Sequence, residues 1–398
     1  MFKNKALIPI FIVVFVDLLG FSIILPLLPF YALKFNVSPE MIGMIAAVYS
    51  VCQFGASPIL GALSDKYGRR PVLIYSQFGS MIGFLLLALA GNIWIIVLSR
   101  FVDGISGGNI TIASAYVADV SEPKDRASAM ALIGVAFGLG FLFGPLIGGE
   151  LSAAWGIAAP AYAAAFLAFS SMTLSIFYLK EPAVHRSAES RKKGLGYYTE
   201  AIKYLKIKNL RTILIIFFFF ALPFSLYVSM FSLYAHLELS FNEREVGRFL
   251  AYVGFLGIIW QGGVIRPLVK KIGELSLLRY GLAAMSLGLL GLVLADSWQQ
   301  LALVALVFSF GTGVTRVVLS SLVSQMAPPD KKGGVIGVSS SIESFTRIIG
   351  PILGGWIIGT IHPNYIGYVG GAMAAVGFWL AFTVHRDSKK LEPEVIVD

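Results

Sequence analysis

Charge is what this sequence has least of. Asp, Glu, Lys and Arg make up 13% of its 398 residues, against roughly a quarter in a soluble domain. With 57% of the chain hydrophobic, too little polar surface remains to cover a soluble body of this length. Cysteine is nearly absent: Cys52 stands alone inside an apolar run, which excludes an intrachain disulfide and leaves no thiol cluster for a metal. Histidine is scarce and peripheral. His185, His236, His362 and His385 all lie at or beyond the ends of apolar runs, so none sits mid-run as a proton relay. No His-containing dyad, metal constellation or phosphate loop falls among the runs. An enzyme is therefore the least supported class, and no catalytic residue, metal or cofactor is expected.

The charge that is present is placed rather than spread. Short polar clusters divide the chain into about twelve apolar runs, each near the length of about 20 residues that crosses a hydrocarbon core. The runs cover 6–33, 40–62, 72–90, 93–119, 127–150 and 158–180, then 210–235, 246–269, 276–295, 299–326, 333–358 and 365–384. A spanning segment must satisfy its own backbone, and these runs are too long and too evenly apolar for outer-membrane strands. The expected fold is an all-α polytopic membrane protein. Lys3 and Lys5 ahead of the first run suggest a signal peptide. That run is too long, lacks a small-residue cleavage site and contains Asp17, so it reads as a retained first helix.

The net charge of +9 raises the question of nucleic acid. Its placement answers otherwise. Lys66, Arg69, Arg70, Lys124, Arg126, Lys270, Lys271, Lys331 and Lys332 fall in alternate loops, while the loops near 91–92, 151–157, 296–298 and 360–364 carry no Lys or Arg. This bias places both termini and the 181–209 segment in the cytoplasm, with anionic headgroups, not nucleic acid, as the partners of the basic charge.

The chain repeats itself. Gly144-Pro145-Leu146-Ile147-Gly148-Gly149 recurs as Gly350-Pro351-Ile352-Leu353-Gly354-Gly355. Weaker echoes keep a similar offset: Gly61 to Pro71 with Gly263 to Gly273, and Gly104 to Gly108 with Gly311 to Gly313. The halves read as six-helix bundles at 1–180 and 210–386, joined by a basic linker at 181–209 and followed by a tail at 387–398. Tyr197, Ala201, Ile202, Tyr204 and Leu205 interleave with lysines in the linker, as in an amphipathic surface helix or a solvated connection. Two repeated halves are how many secondary transporters build a midplane binding site. One chain with both halves is able to work as a monomer.

Charged residues inside apolar runs point to function, because each costs about 2.5–3.5 kcal/mol at the bilayer centre unless it is paired or faces a wet cavity. Asp17 is the leading candidate for carrying a proton. Arg100, Asp103, Gly104, Gly107, Thr111 and Ser114 share one face of the fourth run by helical spacing; Arg100 either tunes a neighbouring carboxylate or pairs with Asp103. Glu343, four residues before Arg347, is the second candidate for protonation, and Arg316 lies between Thr312 and Ser320. Gly61, Asp65, Gly68, Arg69 and Arg70 form a tight turn which, with Asp119 and Arg126, makes either a cytoplasmic gate or a topological anchor. Phe220, Phe224, Tyr227, Phe231 and Tyr234 form an aromatic stripe that lines a cavity or packs the interior, and Gln53 and Gln261 are further cavity candidates.

The turn Gly61-x-x-Ser64-Asp65-x-x-Gly68-Arg69-Arg70 resembles the cytoplasmic signature of the major facilitator superfamily. Arg100-x-x-x-Gly104-x-x-Gly107-Gly108 resembles its fourth-helix motif, whose Arg is implicated in proton transfer. Gly140-x-x-x-Gly144-Pro145-x-x-Gly148-Gly149 is similar to the fifth-helix motif of drug:proton antiporters. Asp17-x-x-Gly20-x-x-x-x-x-Pro26-x-x-Pro29 is similar to the first helix of the tetracycline:proton antiporter group. That group also carries an acid in its ninth helix; here 276–295 has none, and Asp296 lies beyond its end. The resemblance implies twelve transmembrane helices in two pseudo-symmetric bundles that alternate access to a central cavity. It implies a drug-efflux antiporter of a bacterial inner membrane, driven by a proton gradient, with a small amphipathic solute and protons as partners. The same scaffold also serves sugar, metabolite or lipid carriers, and a non-transporting sensor is the rival from another class.

Overall fold

The computed structural model describes residues 7–122, 125–182, 207–328 and 332–384. The expected linker helix falls largely outside them, as does the 387–398 tail. Every regular element among the described residues is a helix: α1 (Leu7–Ile24), α2 (Leu28–Leu33), α3 (Pro39–Tyr67), α4 (Arg69–Ala88), α5 (Ile93–Ile105), α6 (Asn109–Val120), α7 (Arg126–Trp155) and α8 (Ala159–Tyr178). After residue 206 come α9 (Lys208–Leu239), α10 (Glu243–Ile259), a π-helical turn (Trp260–Val264), α11 (Ile265–Ile272), α12 (Glu274–Leu292), α13 (Trp298–Met326), α14 (Lys332–Thr360) and α15 (Tyr365–Leu380).

Helices fall on each of the twelve expected spans, and ten of these are long and apolar enough to cross a membrane. Large apolar side chains stand outward, with Phe166 and Leu303 more than half exposed. Trp94, Trp155, Tyr178, Trp298 and Tyr365 are exposed near helix ends, the positions where aromatics meet a bilayer interface. The protein is an integral membrane protein.

Two spans depart from continuous helices. The first breaks after Ile24, around Pro26, before resuming as α2. The fourth breaks at Ser106–Gly108, so the face drawn from Arg100 to Ser114 belongs to two helices, not one. The carbonyls exposed by this break find donors. Gln53 Nε2 donates to Gly107 O at 3.0 Å, and the Ser76 hydroxyl donates to Ser106 O. Without such donors a broken helix is not viable in lipid. The Gly61 motif was expected in a turn after the second helix; α3 instead continues to Tyr67, and only Gly68 turns, at φ +117°. Its counterpart is Gly273, also left-handed at φ +79°, between α11 and α12. The sequence echo beginning at Gly263 is therefore out of register with the structural repeat.

The chain divides into two compact units, Met1–Arg186 with Ser229–Phe255 and Pro351–Pro363, and Ser187–Val228 with Leu256–Gly350 and Asn364–Asp398. Within the first unit, α1 packs on α7 and α8, and α4 lies against α5 and α8. Its buried core joins Ile10, Val13, Val14, Ile112, Tyr116 and Ala136. In the second unit α12 packs against α13 and α15.

Candidate functional site

The first unit holds two buried polar clusters. Asp17, midway along α1, accepts from Gln77 Nε2 at 3.3 Å; the same nitrogen donates to Ser171 Oγ at 2.6 Å. Ser171 in turn donates to the Val13 carbonyl at 3.2 Å. These side chains come from α1, α4 and α8. Among the described residues no cation pairs with Asp17. One helix away, Arg100 Nη1 lies 3.3 Å from Asp103 Oδ2, both side chains 4% exposed. Of the two roles open to Arg100 in the sequence, the pair within its own helix is the one formed. Gly83 permits it: a Cβ there meets Asp103 Cβ at 2.8 Å.

At the far end of α3 the Gly68 turn is an ion network. Arg69 bridges Asp65 at 2.6 Å and Asp119 at 2.9 Å and donates to Ser64 Oγ at 2.7 Å. Glu181 caps α4, its two carboxylate oxygens accepting from the backbone N–H of Arg69 at 2.7 Å and of Arg70 at 2.8 Å. An anion at a helix N-terminus is stabilised by both the unpaired N–H groups and the helix dipole. Arg70 donates to the carbonyls of Ser175 and Ile176, and Arg126 to that of Ala118 at 3.2 Å. Gly61 plays no part in close packing, since a Cβ there meets nothing within 4 Å.

The glycine repeat has a geometric meaning. On α7, Gly140, Gly144 and Gly148 are spaced by four and face Leu18, Ser22 and Ile23 of α1. Ser22 Oγ donates to the Gly140 carbonyl at 2.7 Å, buried. Gly149 points elsewhere: a Cβ on it meets the Glu243 carbonyl at 2.7 Å and the Gly247 Cα at 3.2 Å. The second copy does the same in parallel. Gly350 meets Ser225 and Leu226 of α9, while Gly355 meets Gly43 and the Pro39 carbonyl of α3. Beside the Gly149–Gly247 seam, Glu150 bridges Arg244 at 3.1 Å and Arg248 at 2.7 Å.

In the second unit Glu343 holds two arginines. Arg316 Nη1 and Arg347 Nη2 each donate to its Oε1 at 2.9 Å. Arg316 also stands 5.1 Å from the ring centre of Phe224. Most of the expected aromatic stripe is packing rather than lining. Tyr227, Phe231 and Tyr234 are buried, with Tyr227 against Phe308 at 4.3 Å and Phe231 stacked on Phe249 at 4.7 Å. Phe220 is buried as well, so Phe224 alone of the five is half-buried. Gln53 bonds Tyr49 Oη and the α5–α6 break, so its amide is committed to structure, and Gln261 lies exposed in the π-helical turn.

Sequence reasoning missed Gln77, Ser171, Ser22, Glu181 and Glu150. Polar residues inside apolar runs were a signal for the first three. Nothing in the sequence pairs Glu181 with a turn more than a hundred positions earlier.

The profile of the Major Facilitator Superfamily matches residues 10–296 and 264–396. The chain is 30% identical over 359 residues to the class C tetracycline resistance protein of Escherichia coli, across 88% of this chain and 89% of that one. It is 29% identical over 373 residues to the class E protein of Escherichia coli, covering 92% and 91%. Among solved structures, the nucleoside transporter NupG superposes with a TM-score of 0.76 over 96% of this chain and 99% of that one, at 13% identity, a likeness of fold alone. With the family profile covering most of the chain and a relative 30% identical over 88% of it, the chain belongs to the major facilitator superfamily.

Proposed function

We propose that the protein is a proton-coupled antiporter that exports a small amphipathic compound from the cytoplasm of a bacterium by alternating access, with Asp17 exchanging the proton. The observation that carries this reading is the partner set of Asp17: a neutral amide, Gln77, and no cation among the described residues. A carboxylate in a span with only neutral partners can change its charge without breaking an ion pair. The tetracycline resistance relatives support drug export, and the Arg100–Asp103 pair supports an electrostatic role beside the carrier. The charge bias of the loops supports an inner-membrane location with cytoplasmic termini. Each net charge moved across 100 mV supplies about 2.3 kcal/mol, somewhat under a hundredfold in solute concentration.

The test uses purified protein in liposomes with an internal pH dye and a panel of cationic, neutral and anionic amphiphiles. Solute-dependent proton movement that is lost in Asp17→Asn supports the reading. Solute flux without protons, or normal coupling in the variant, refutes it and returns the metabolite-carrier reading.

A further inference from the structure

The span charges of the second unit do not balance. Arg316 lies on α13, ten residues before Met326, so roughly 15 Å along the axis from that end. Glu343 and Arg347 lie at comparable depth on α14. The unit's other described acids are near helix ends: Glu274 opens α12 and accepts from Ser321 and Gln325, and Asp296 follows α12. Two guanidiniums share one carboxylate oxygen, which leaves one positive charge in the interior of a span without a counter-charge among the described residues of its unit. Such a surplus persists only where water or an anion meets it.

Nor are the two arginines sealed in. Their side chains are 38% and 50% exposed, against 4% for Arg100. Each guanidinium spends one nitrogen on Glu343, which leaves further donors on a planar fork suited to a carboxylate. Beside the fork stands Phe224, the member of the aromatic stripe that packing does not bury. A cationic fork next to an apolar ring face matches a molecule with an anionic head and an aromatic or aliphatic body.

We infer that Arg316, Arg347 and Phe224 form a binding subsite for the carboxylate of an amphipathic organic acid, with Glu343 as the internal anion that yields a guanidinium when the solute arrives. The inference rests on the transport reading for its physiological meaning and narrows the substrate class to organic anions.

The test is equilibrium binding of three radiolabelled probes that share one ring system: 1-naphthaleneacetate, 1-naphthaleneacetamide and 1-naphthylmethylamine. Full-length protein is used in neutral detergent without anionic lipid, so that headgroups do not compete. The acid is expected to bind better than the amide and the amine. Arg347→Gln, which leaves a balanced Arg316–Glu343 pair, is expected to weaken the acid about tenfold, the worth of a charge-assisted hydrogen bond. Glu343→Gln removes the competing anion and is expected to tighten the acid; a purely structural triad gives no such gain. Equal binding of all three probes, preference for the amine, no binding of the acid at millimolar concentration, or an acid affinity that neither variant moves overturns the subsite. Binding is read without membrane or gradient. A protein that binds the acid but exchanges no protons refutes only the antiport reading, and one that exchanges protons for the amine while ignoring the acid refutes only the subsite.

Discussion

A methyl group at Gly149 probes the seam between α7 and α10. Its Cβ would stand 2.7 Å from the Glu243 carbonyl oxygen, where ordinary contact begins at 3.4 Å. The helices must therefore part locally by up to 0.7 Å (3.4 − 2.7), because the opposing atoms are main chain and cannot swing aside. Overpacking of this kind costs about 1–3 kcal/mol. Gly134, on the same helix, faces open space with nothing within 4 Å. Gly134→Ala should hold or raise stability, since Ala is the better helix former by about 1 kcal/mol. Both variants share that gain, so their difference isolates the contact.

The assay is the apparent unfolding temperature in detergent, read from the fluorescence of the six tryptophans. Gly149→Ala should melt below Gly134→Ala. Gly355→Ala should fall with it, since its Cβ meets the Pro39 carbonyl at 2.5 Å. The two seams share no residue, so the double variant should be additive to within about 0.5 kcal/mol. If the seam exists in one transport conformation only, the same penalty becomes a population shift of about 5- to 150-fold, visible as altered turnover. Gly149→Ala melting together with Gly134→Ala would refute the close seam and everything drawn from it.

Gly68→Ala should cost about 1–3 kcal/mol, because its φ of +117° with ψ of 150° is a region nearly reserved for glycine; a Cβ there would also stand 2.9 Å from the Glu181 carboxylate, so the loss should appear as a lower unfolding temperature. Glu150→Gln should matter little. The Glu150, Arg244 and Arg248 side chains are 39–55% exposed, so the loss stays under about 1 kcal/mol and disappears at high salt, as melting at two ionic strengths would reveal. Asp103→Asn should be severe, since it strands Arg100 at 4% exposure; breaking a buried pair costs about 3–5 kcal/mol, and the yield of monodisperse protein should collapse while Asp17→Asn survives purification.

The fold was legible because lipid imposes a rule that a linear sequence can obey visibly. Each span must be long, apolar and helical, and the charged residues between spans mark the ends. What stayed hidden depends on contacts between distant positions. The break at Ser106–Gly108 needs Gln53 and Ser76 as donors, and neither announces that duty in sequence. The register of the Gly68 repeat followed residue identity in the sequence but backbone conformation in the structure: Gly273 shares a left-handed φ with Gly68, while Gly263 shares only a letter with Gly61. The aromatic stripe was ambiguous for a different reason. Helical spacing puts Tyr227, Phe231 and Tyr234 on a face, but which face is buried is decided by Phe308 and Phe249 on other helices.

Among the described residues, the three carboxylates set deep in the spans make the strongest case for separate roles, because their partners differ in number of charges. Protonating Glu343 would leave two guanidiniums facing each other across a neutral acid. Protonating Asp103 would leave Arg100 charged and sealed from water. Protonating Asp17 strands no charge, because Gln77 can accept from a carboxylic acid through its carbonyl as readily as it donates to a carboxylate through its amide. Gln77 Oε1 is buried without a hydrogen-bond partner in the present geometry, an acceptor waiting for a donor. A protonated Asp17 supplies that donor by a flip of one amide, in exchange for the Nε2 donation to Ser171 Oγ. Gln77→Glu would place a second carboxylate against Asp17, so the pair would share a proton and titrate as a unit. Coupled flux in that variant should then keep its solute dependence but move its pH profile, whereas a Gln77 that merely fills space predicts an unshifted profile.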